Sequence, residues 1–414
     1  MFTFLHAADI HLDSPLQGLD KYDGAPVEEI RGATRQALRN LVTTAIEEEV
    51  AFVVIAGDLY DGDWRDFNTG LFFVQQMVRL KQAGIPVFGV TGNHDAANRI
   101  TRQLPLPENV TFFSTKEPET VHLKELDVAL HGQSYAEQCT TTDLAKHYPA
   151  PVGGCFNIGV LHTSMSGREG HGSYAPCSED CLRSAGYDYW ALGHIHQREV
   201  IEGPPIIAYP GNIQGRHIRE TGPKGCLIVR VDNAGVATTE FTPLDVLRWE
   251  MLQVDVRDAF EKGEILEHAA EALRETVEKA DGRLLSIRVQ LVGKTALSGM
   301  LNADLRQFTE DFRALALDVG SGNLWIEKVK NGTELPSEKG PHSATGEGPF
   351  AEVDAVVREL VELPNPGEDL GVDFGDLERK LPSELSEVVK SSDPEWWRRV
   401  LREAESHLVA RMRE

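Results

Sequence analysis

The sequence predicts an α/β fold of two packed β-sheets flanked by helices, followed by a small α+β domain and a helical C-terminal region. Three observations carry this prediction. The first part of the chain alternates helical stripes with short runs such as "AFVVIAG", apolar almost throughout, as strands covered on both faces are. Its second half is rich in strands and poor in long helices, which favours two sheets over one doubly wound sheet. From about Leu244 the pattern becomes strand–helix–strand–helix–strand, and a Gly/Pro/Ser-rich stretch, "NGTELPSEKGPHSATGEGP", then separates this unit from further helices. These changes divide the chain into residues 1–243, 244–331, a linker over 332–349 and a helical region over 350–414.

In order, "FTFLHAAD" reads as a strand. Val27 to Val50 reads as a helix with Ile30, Ala33, Ala37, Leu38, Leu41, Ala45 and Ile46 on one stripe. "AFVVIAG" is a strand, Phe67 to Ala83 a helix, and "IPVFGVTG" a strand. The strands "VALHGQSY", "FNIGVLHTS", "YDYWALGHIH", "PIIAYPG" and "KGCLIVRVD" follow. In the next unit "WEMLQVDVR", "LLSIRVQLVG" and "NLWIEKVK" are strands, and Glu264–Ala280 and Asn302–Ala316 are helices. Helices are expected near Phe350–Leu363 and Phe374–Val389, and in "DPEWWRRVLREAESHLVARM", where Asp393 is a suitable N-cap and Pro394 the first helical residue.

A chain of 414 residues is long enough for two or three domains, and 41% hydrophobic with 26% charged residues is a globular composition. Runs of 18 or more apolar residues are absent, and "MFTFLHAADIHLDS" meets His6 and Asp9 too early for a signal peptide. No membrane segment and a cytoplasmic location are therefore expected. Five scattered cysteines make no disulfide framework, and Cys177 and Cys181 lack the second pair that a cysteine zinc site needs. The formal charge of −24 excludes a protein that grips nucleic acid through a general basic surface. A DNA role has to use local patches, bound metal or the positive surface of a partner.

Against this acidic background the 14 histidines are unevenly placed. "ALGHIHQREV" sets His194 and His196 two residues apart after an apolar run, positions that would face one side of a strand. "HAADIHLD" offers Asp9 and His11, "VVIAGDLYDG" Asp58, "VFGVTGNHDA" Asn93 and His94, and "NIGVLHTS" His162. Singly, each has an ordinary explanation: Asp58 as a cap, Asn93 as a turn residue, His162 as an interior histidine, the paired histidines as surface loop residues. Together they end five apolar strands, where open α/β folds gather their ligand-binding groups. Burying so many carboxylates and imidazoles is expensive unless they are paired or hold metal. The donor count fits two ions. Asp58 would bridge, with Asp9, His11 and His196 completing one ion and Asn93, His162 and His194 the other. Such mixed N/O ligation suits Mn²⁺, Fe²⁺ or Zn²⁺, with Mg²⁺ as a further candidate. His94 is surplus to the ligand count and placed to protonate a leaving oxygen.

The order Asp-x-His, Gly-Asp-x-x-Asp, Gly-Asn-His-Asp, Gly-x-x-His and Gly-His-x-His resembles the calcineurin-like metallophosphoesterase superfamily over about residues 1–240. The resemblance implies a two-layer β-sandwich flanked by helices, two divalent ions and water activated by them for attack on a phosphoester. The superfamily's ligands fall on Asp9, His11, Asp58, Asn93, His162, His194 and His196, and its non-ligand catalytic histidine on His94. Within it, "FLHAADIHLDSPLQGL", "GDLYD", "GNHD", "GHIH" and "YPGNIQGRH" resemble the repair-exonuclease branch, the SbcD-like and especially the YhaO-like proteins. That branch implies a DNA-facing capping domain in the α+β unit and an SMC-like coiled-coil ATPase partner of SbcC type or YhaN-like. Asp61 stands where some relatives of this branch have a histidine.

The resulting expectation is a two-metal-dependent DNA exonuclease or endonuclease in repair, with manganese as the first choice of ion and a homodimer as a possible assembly. The alternatives are a phosphodiesterase or phosphatase acting on nucleotides or other small phosphoesters, and a scaffold with a decayed metal site, against which the complete ligand set argues. Candidate DNA contacts are Arg216, His217 and Arg219 in "GRHIRE", and Arg168 and His171 in "SGREGHGSY". In the last helix Trp396, Val400, Leu401, Leu408 and Met412 share one side, flanked by Trp397. With Arg398, Arg399 and Arg402 nearby, this aromatic and arginine cluster has the chemistry of an interface hot spot, so the region is expected to dock the partner, the alternative being a helix that folds back on its own domain.

Overall fold

The computed structural model describes residues 1–14, 27–61, 67–97, 105–165, 175–334, 349–370 and 393–412. Arg168, His171, the Phe374–Val389 stretch and most of the expected linker lie outside these. The chain forms two compact units, Met1–Glu250 with Ala280–Ser286, and Met251–Lys279 with Ile287–Glu414.

The first unit holds strands β1 (Phe2–Ala7), β2 (Phe52–Ala56), β3 (Val87–Val90), β4 (Val110–Phe112), β5 (Glu119–Leu123), β6 (Val128–Gly132), β7 (Phe156–His162), β8 (Tyr189–Gly193), β9 (Glu199–Ile201), β10 (Ile206–Tyr209), β11 (Gly225–Val231) and β12 (Ala237–Pro243). Its helices are α1 (Val27–Glu47), α2 (Asn68–Gln82), α3 (Asn93–Ala97) and α4 (Glu179–Ser184). One sheet runs β12-β11-β1-β2-β3-β4, the other β5-β6-β7-β8-β10-β9. The central strands β1 to β4 of the first sheet are parallel, as are β6, β7, β8 and β10 of the second. The sheets belong to one sandwich because alternate residues of each strand serve different layers. Phe4, Phe52, Val54 and Ala56 share a core with Leu130, Ile158, Val160 and Ala191 of the other sheet. Their sequence neighbours Leu5, Val53 and Ile55 pack instead on Ala37, Leu38, Leu41 and Ala45 of α1 and Phe73, Met77 and Leu80 of α2. On the far side Leu161, Trp190, Leu192 and Ile207 pack with Leu182 of α4. Both faces of the central strands are thus covered, which is why their sequences are apolar without interruption.

The second unit carries most of a three-stranded sheet, β13 (Leu247–Asp255), β14 (Leu284–Lys294) and β15 (Leu324–Glu334), in that order. Helix α5 (Lys262–Lys279) buries Ile265, Ala269 and Leu273. The single helix expected over Asn302–Ala316 is two, α6 (Ser298–Ala303) and α7 (Leu305–Gly320), because Asp304 leaves helical geometry with φ −123° and ψ 33°. Strand β15 runs on through Glu334, into the segment expected to be linker. Helices α8 (Pro349–Glu362), α9 (Pro366–Asp369) and α10 (Pro394–Met412) follow among the described residues. Trp396 and Trp397, expected on a docking face, are buried at 8% and 5% exposure. The Trp397 indole fills the space beside Gly367, where an added Cβ would meet Nε1 at 2.1 Å, and the Arg398 Nε donates to the Val361 carbonyl at 3.0 Å. The tryptophan pair therefore packs within its own unit, which removes it from the proposed hot spot. No helix among the described residues is long and apolar enough to cross a membrane.

Candidate metal centre

The candidate ligands follow the C-terminal ends of β1, β2, β3, β7 and β8, the adjacent parallel strands of the two sheets. His162 closes β7; the others sit in the turns just beyond. The pleat therefore does not aim His194 and His196, which lie past the end of β8 at Gly193. Backbone geometry does. Asp9, His11, Asp58 and His194 have φ of 51°, 44°, 50° and 98°. Such left-handed residues cost on the order of 1–3 kcal/mol each and persist only where the surroundings over-determine them. Here the backbone amides of Asp9 and His11 donate to the carbonyls of Gly57 and Asp58, each at 3.0 Å, so the two turns hold one another. The buried Asp95 carboxylate adds a staple, accepting from the amides of Leu59 (3.1 Å), Tyr60 (2.9 Å) and Gly92 (3.0 Å).

The glycines before these ligands have a steric reason. A Cβ on Gly57 would lie 2.5 Å from His162 Nδ1, one on Gly92 2.2 Å from Asp58 Oδ1, and one on Gly193 2.0 Å from the Ala56 carbonyl. Gly57 and Gly92 thus each precede a side chain that enters the site and let another strand's ligand approach, while Gly193 lets the backbone of β2 approach.

Three groupings result: Asp9, His11 and His196; Asp58, His162 and His194; and His11, Asp58 and His94. In the first, His196 Nε2 lies 3.1 Å from His11 Nε2 and 3.8 Å from Asp9 Oδ1. In the second, His162 Nε2 lies 3.3 Å from Asp58 Oδ2 and 3.0 Å from Asn93 Oδ1, which brings Asn93 in as well. Asp58 Oδ2 also faces His11 Nε2 at 3.8 Å, so one carboxylate oxygen stands between the two groups, while Oδ1 accepts the His94 amide at 3.0 Å. All seven candidate ligands are brought together.

This donor set fits two divalent ions. Asp9, His11, Asp58 and His162 are almost wholly shielded from solvent. Burial pushes His11 well below the ordinary imidazole range, leaving its nitrogens as neutral donors. Burial also pushes His162 down, but the Asp58 carboxylate beside it wins and lifts it to about 9. Asp58 in turn is held below the usual carboxylate range by His162, His11 and His94, against its own burial. Without metal, an imidazolium thus balances the carboxylate; an ion would take its place.

His94 sits at the rim, its Nδ1 2.9 Å from Asp61 Oδ1. That hydrogen bond raises its pKa against partial burial. Asp61 also accepts from Ser14 Oγ at 2.6 Å and lies 3.7 Å from Arg216 Nη1. Arg216 is only 14% exposed and is gripped by Glu220, so it lines the site rather than a free surface. His217 and Arg219 lie nearby, joined by the Arg219 amide to His217 Nδ1. Sequence reading singled out neither Asp61 as the partner of His94 nor Asp95 and Glu220, since each meets a site element that is distant in the chain: Asp61 meets His94, Asp95 the amides of Leu59 and Tyr60, and Glu220 the ring of His196. Cys177 is buried against Thr163 with its thiol pushed up to about 11 by burial, which suits a structural cysteine.

Residues 2–198 match the calcineurin-like phosphoesterase family, and residues 249–334 match the middle domain of the metallophosphoesterase YhaO. The chain is 36% identical over 317 residues to the uncharacterized metallophosphoesterase YhaO of Bacillus subtilis (strain 168), spanning 76% of this chain and 77% of that protein. It belongs to the YhaO-like calcineurin-like phosphoesterases. More distant similarity connects this phosphoesterase to proteins named DNA double-strand break repair protein Mre11. The one from Methanopyrus kandleri is 24% identical over 392 residues, covering 86% of this chain and 76% of its own. The one from Sulfurisphaera tokodaii is 25% identical over 286 residues, covering 67% and 69%. As a member of this family the chain is a metal-dependent hydrolase built around a two-metal centre.

Proposed function

We propose that this phosphoesterase is a DNA exonuclease or endonuclease of repair, working in the cytoplasm with manganese as its ion and beside an SMC-like coiled-coil ATPase. The observation that carries the hydrolytic reading is Asp58 Oδ2 standing between His11 and His162, with the other candidate ligands grouped on either side. When bound, two divalent ions supply a polarised phosphoryl oxygen and a water of lowered pKa. The remaining work falls to the chain. His94 presents Nε2 to the leaving oxygen and gives it a proton, while Asp61 orients the ring through Nδ1. Arg216 brings a fixed guanidinium to the same rim to meet phosphoryl charge. The choice of DNA is supported by the similarity to the Mre11 proteins. The net charge of −24 favours the second reading, a phosphodiesterase or phosphatase of nucleotides or other small phosphoesters.

The test is hydrolysis of single-stranded, duplex and hairpin DNA and of bis-p-nitrophenyl phosphate with Mn²⁺, beside the Asp58→Asn protein. Cleavage of DNA by the natural protein, lost in the variant, is the expected result. Turnover of the small ester with every DNA left intact would decide for the second reading.

A further inference from the structure

Glu220 ends the stretch "GRHIRE" and has no role in the chemistry above, yet it is 6% exposed and surrounded by donors. Its Oε1 accepts from His196 Nδ1 at 2.8 Å and from Arg216 Nη2 at 3.1 Å. Its Oε2 accepts from the Arg216 amide at 2.7 Å and from Asn212 Nδ2 at 2.8 Å. The other nitrogen of His196, Nε2, is the one that faces Asp9 and His11. A carboxylate on one imidazole nitrogen fixes the proton there and leaves the opposite lone pair for a metal.

The surrounding loop holds this carboxylate in place. Gly215 lets the chain turn tightly, since a Cβ there would meet the Glu220 carbonyl at 2.7 Å. Gln214 spends both ends of its amide on the backbone, Nε2 to the Leu247 carbonyl at 2.6 Å and Oε1 from the Val246 amide at 3.0 Å. Trp249 Nε1 donates to the Gly215 carbonyl at 3.0 Å, and Lys224 Nζ holds the His196 carbonyl at 3.1 Å.

We infer that Glu220 is the positioning residue for the half of the centre formed by Asp9, His11 and His196. It sets which nitrogen of His196 faces the ion, and the same carboxylate aims Arg216 at the rim beside Asp61. The inference rests on the two-ion reading of the site. Outer partners of metal-binding histidines are typically worth about 10–100-fold in metal affinity. Glu220→Gln should therefore weaken one ion by that factor and leave the ion at Asp58, Asn93, His162 and His194 nearly unchanged. Glutamine keeps the size but puts an amide N–H₂ against donors on one side or the other.

The experiment is a Mn²⁺ titration of the full-length metal-free protein, followed by calorimetry and electron paramagnetic resonance. The natural protein should take two ions and show a coupled pair. At the same Mn²⁺ concentration Glu220→Gln should show isolated Mn²⁺, while its metal-free form still melts cooperatively at a temperature lowered by the loss of charge-assisted hydrogen bonds. Asn212→Ala, which removes a donor to Glu220 without touching His196, should bind both ions normally. If Glu220→Gln does not fold, Glu220→Asp gives the same readout, because its carboxylate is drawn back from His196 while the charge stays. Natural affinity for both ions in the glutamate variants would overturn the inference. So would an equal loss of both ions, or the same loss in Asn212→Ala, since either marks a structural role. A natural protein that takes fewer than two ions would instead overturn the two-ion reading itself.

Discussion

Replacing Asp61 with asparagine tests the proton chemistry of His94, because Asp61 is not itself a candidate ligand; its Oδ1 also lies 3.8 Å from Nδ1 of the ligand His11, so bound metal has to be measured beside the rate. The Asp61–His94 pair lies 2.9 Å apart with the Asp61 side chain 22% exposed, so solvent screens it only in part. A hydrogen bond to a charged group contributes about 1.5–3 kcal/mol net. At about 1.4 kcal/mol for each tenfold change, its loss should slow turnover by roughly 10–100-fold. The pH dependence has a definite sign. The Asp61 hydrogen bond is the largest influence on His94 and raises its pKa above the ordinary 6.5, with burial opposing. The stabilisation from the pair is complete below 6.5 and disappears as the pH rises through the raised value. A neutral amide in place of the carboxylate removes that lift, so the basic limb of the kcat profile should move to lower pH. The assay is hydrolysis of bis-p-nitrophenyl phosphate across pH at saturating Mn²⁺, with bound metal measured in parallel. An unchanged rate and profile would refute the pairing as a source of catalysis. Lost metal, with activity restored by excess Mn²⁺, would place the effect of Asp61 on the ligand His11 instead, unless His94→Ala lost metal in the same way, which would make His94 a ligand as its grouping with His11 and Asp58 allows.

Three further outcomes follow from the geometry. Gly193→Ala drives a Cβ to 2.0 Å from the Ala56 carbonyl, a backbone atom that cannot rotate away; it should cost at least about 1–3 kcal/mol and lower the melting temperature by roughly 2–4 °C for each kcal/mol, and an unchanged melt would contradict the close approach of the two sheets. Metal uptake should release protons at neutral pH, because Asp58 lifts His162 to about 9 against the effect of burial and a ligand imidazole must be neutral. Affinity should therefore rise with pH toward that value, and calorimetry in buffers of different ionisation enthalpy that finds no proton release would refute the assignment of His162. Trp397→Ala empties a site packed within the second unit and should cost about 3–5 kcal/mol in chemical denaturation; a loss under about 1 kcal/mol would return the indole to the role of an exposed docking group.

Much of this architecture was legible in the chain alone. The eight interior strands described for the sandwich are each a local apolar run, and every one is readable from sequence. The four edge strands, β4, β5, β9 and β12, are not. Their residues are only half-buried, as in the mixed pattern of Ala237–Pro243, because one side of an edge strand meets no neighbour. The candidate ligands were legible because each ends an apolar strand, and at Gly57-Asp58, Gly92-Asn93 and Gly193-His194 a glycine precedes the donor; both needs are local there: room for another strand, and a donor at the turn. The Trp396–Trp397 pair shows the limit of a helical stripe, which states that a face is apolar but not what covers it.

By itself, then, the sequence determined the succession of the interior strands along the chain, the residue types that can hold two ions, and the family motifs they form; the order of the strands within each sheet came from the structure. Only the tertiary structure decided how those residues are held. The left-handed turns at Asp9, His11, Asp58 and His194 are stabilised by partners from other strands. The Asp61–His94 pair, the Asp95 staple across Leu59, Tyr60 and Gly92, and the clasp of Glu220 on His196 and Arg216 are set the same way. A carboxylate carries no local signal of its partner. Its role depends on which donors the packing of the two sheets and their connecting loops brings within about 3 Å, the reach of a hydrogen bond.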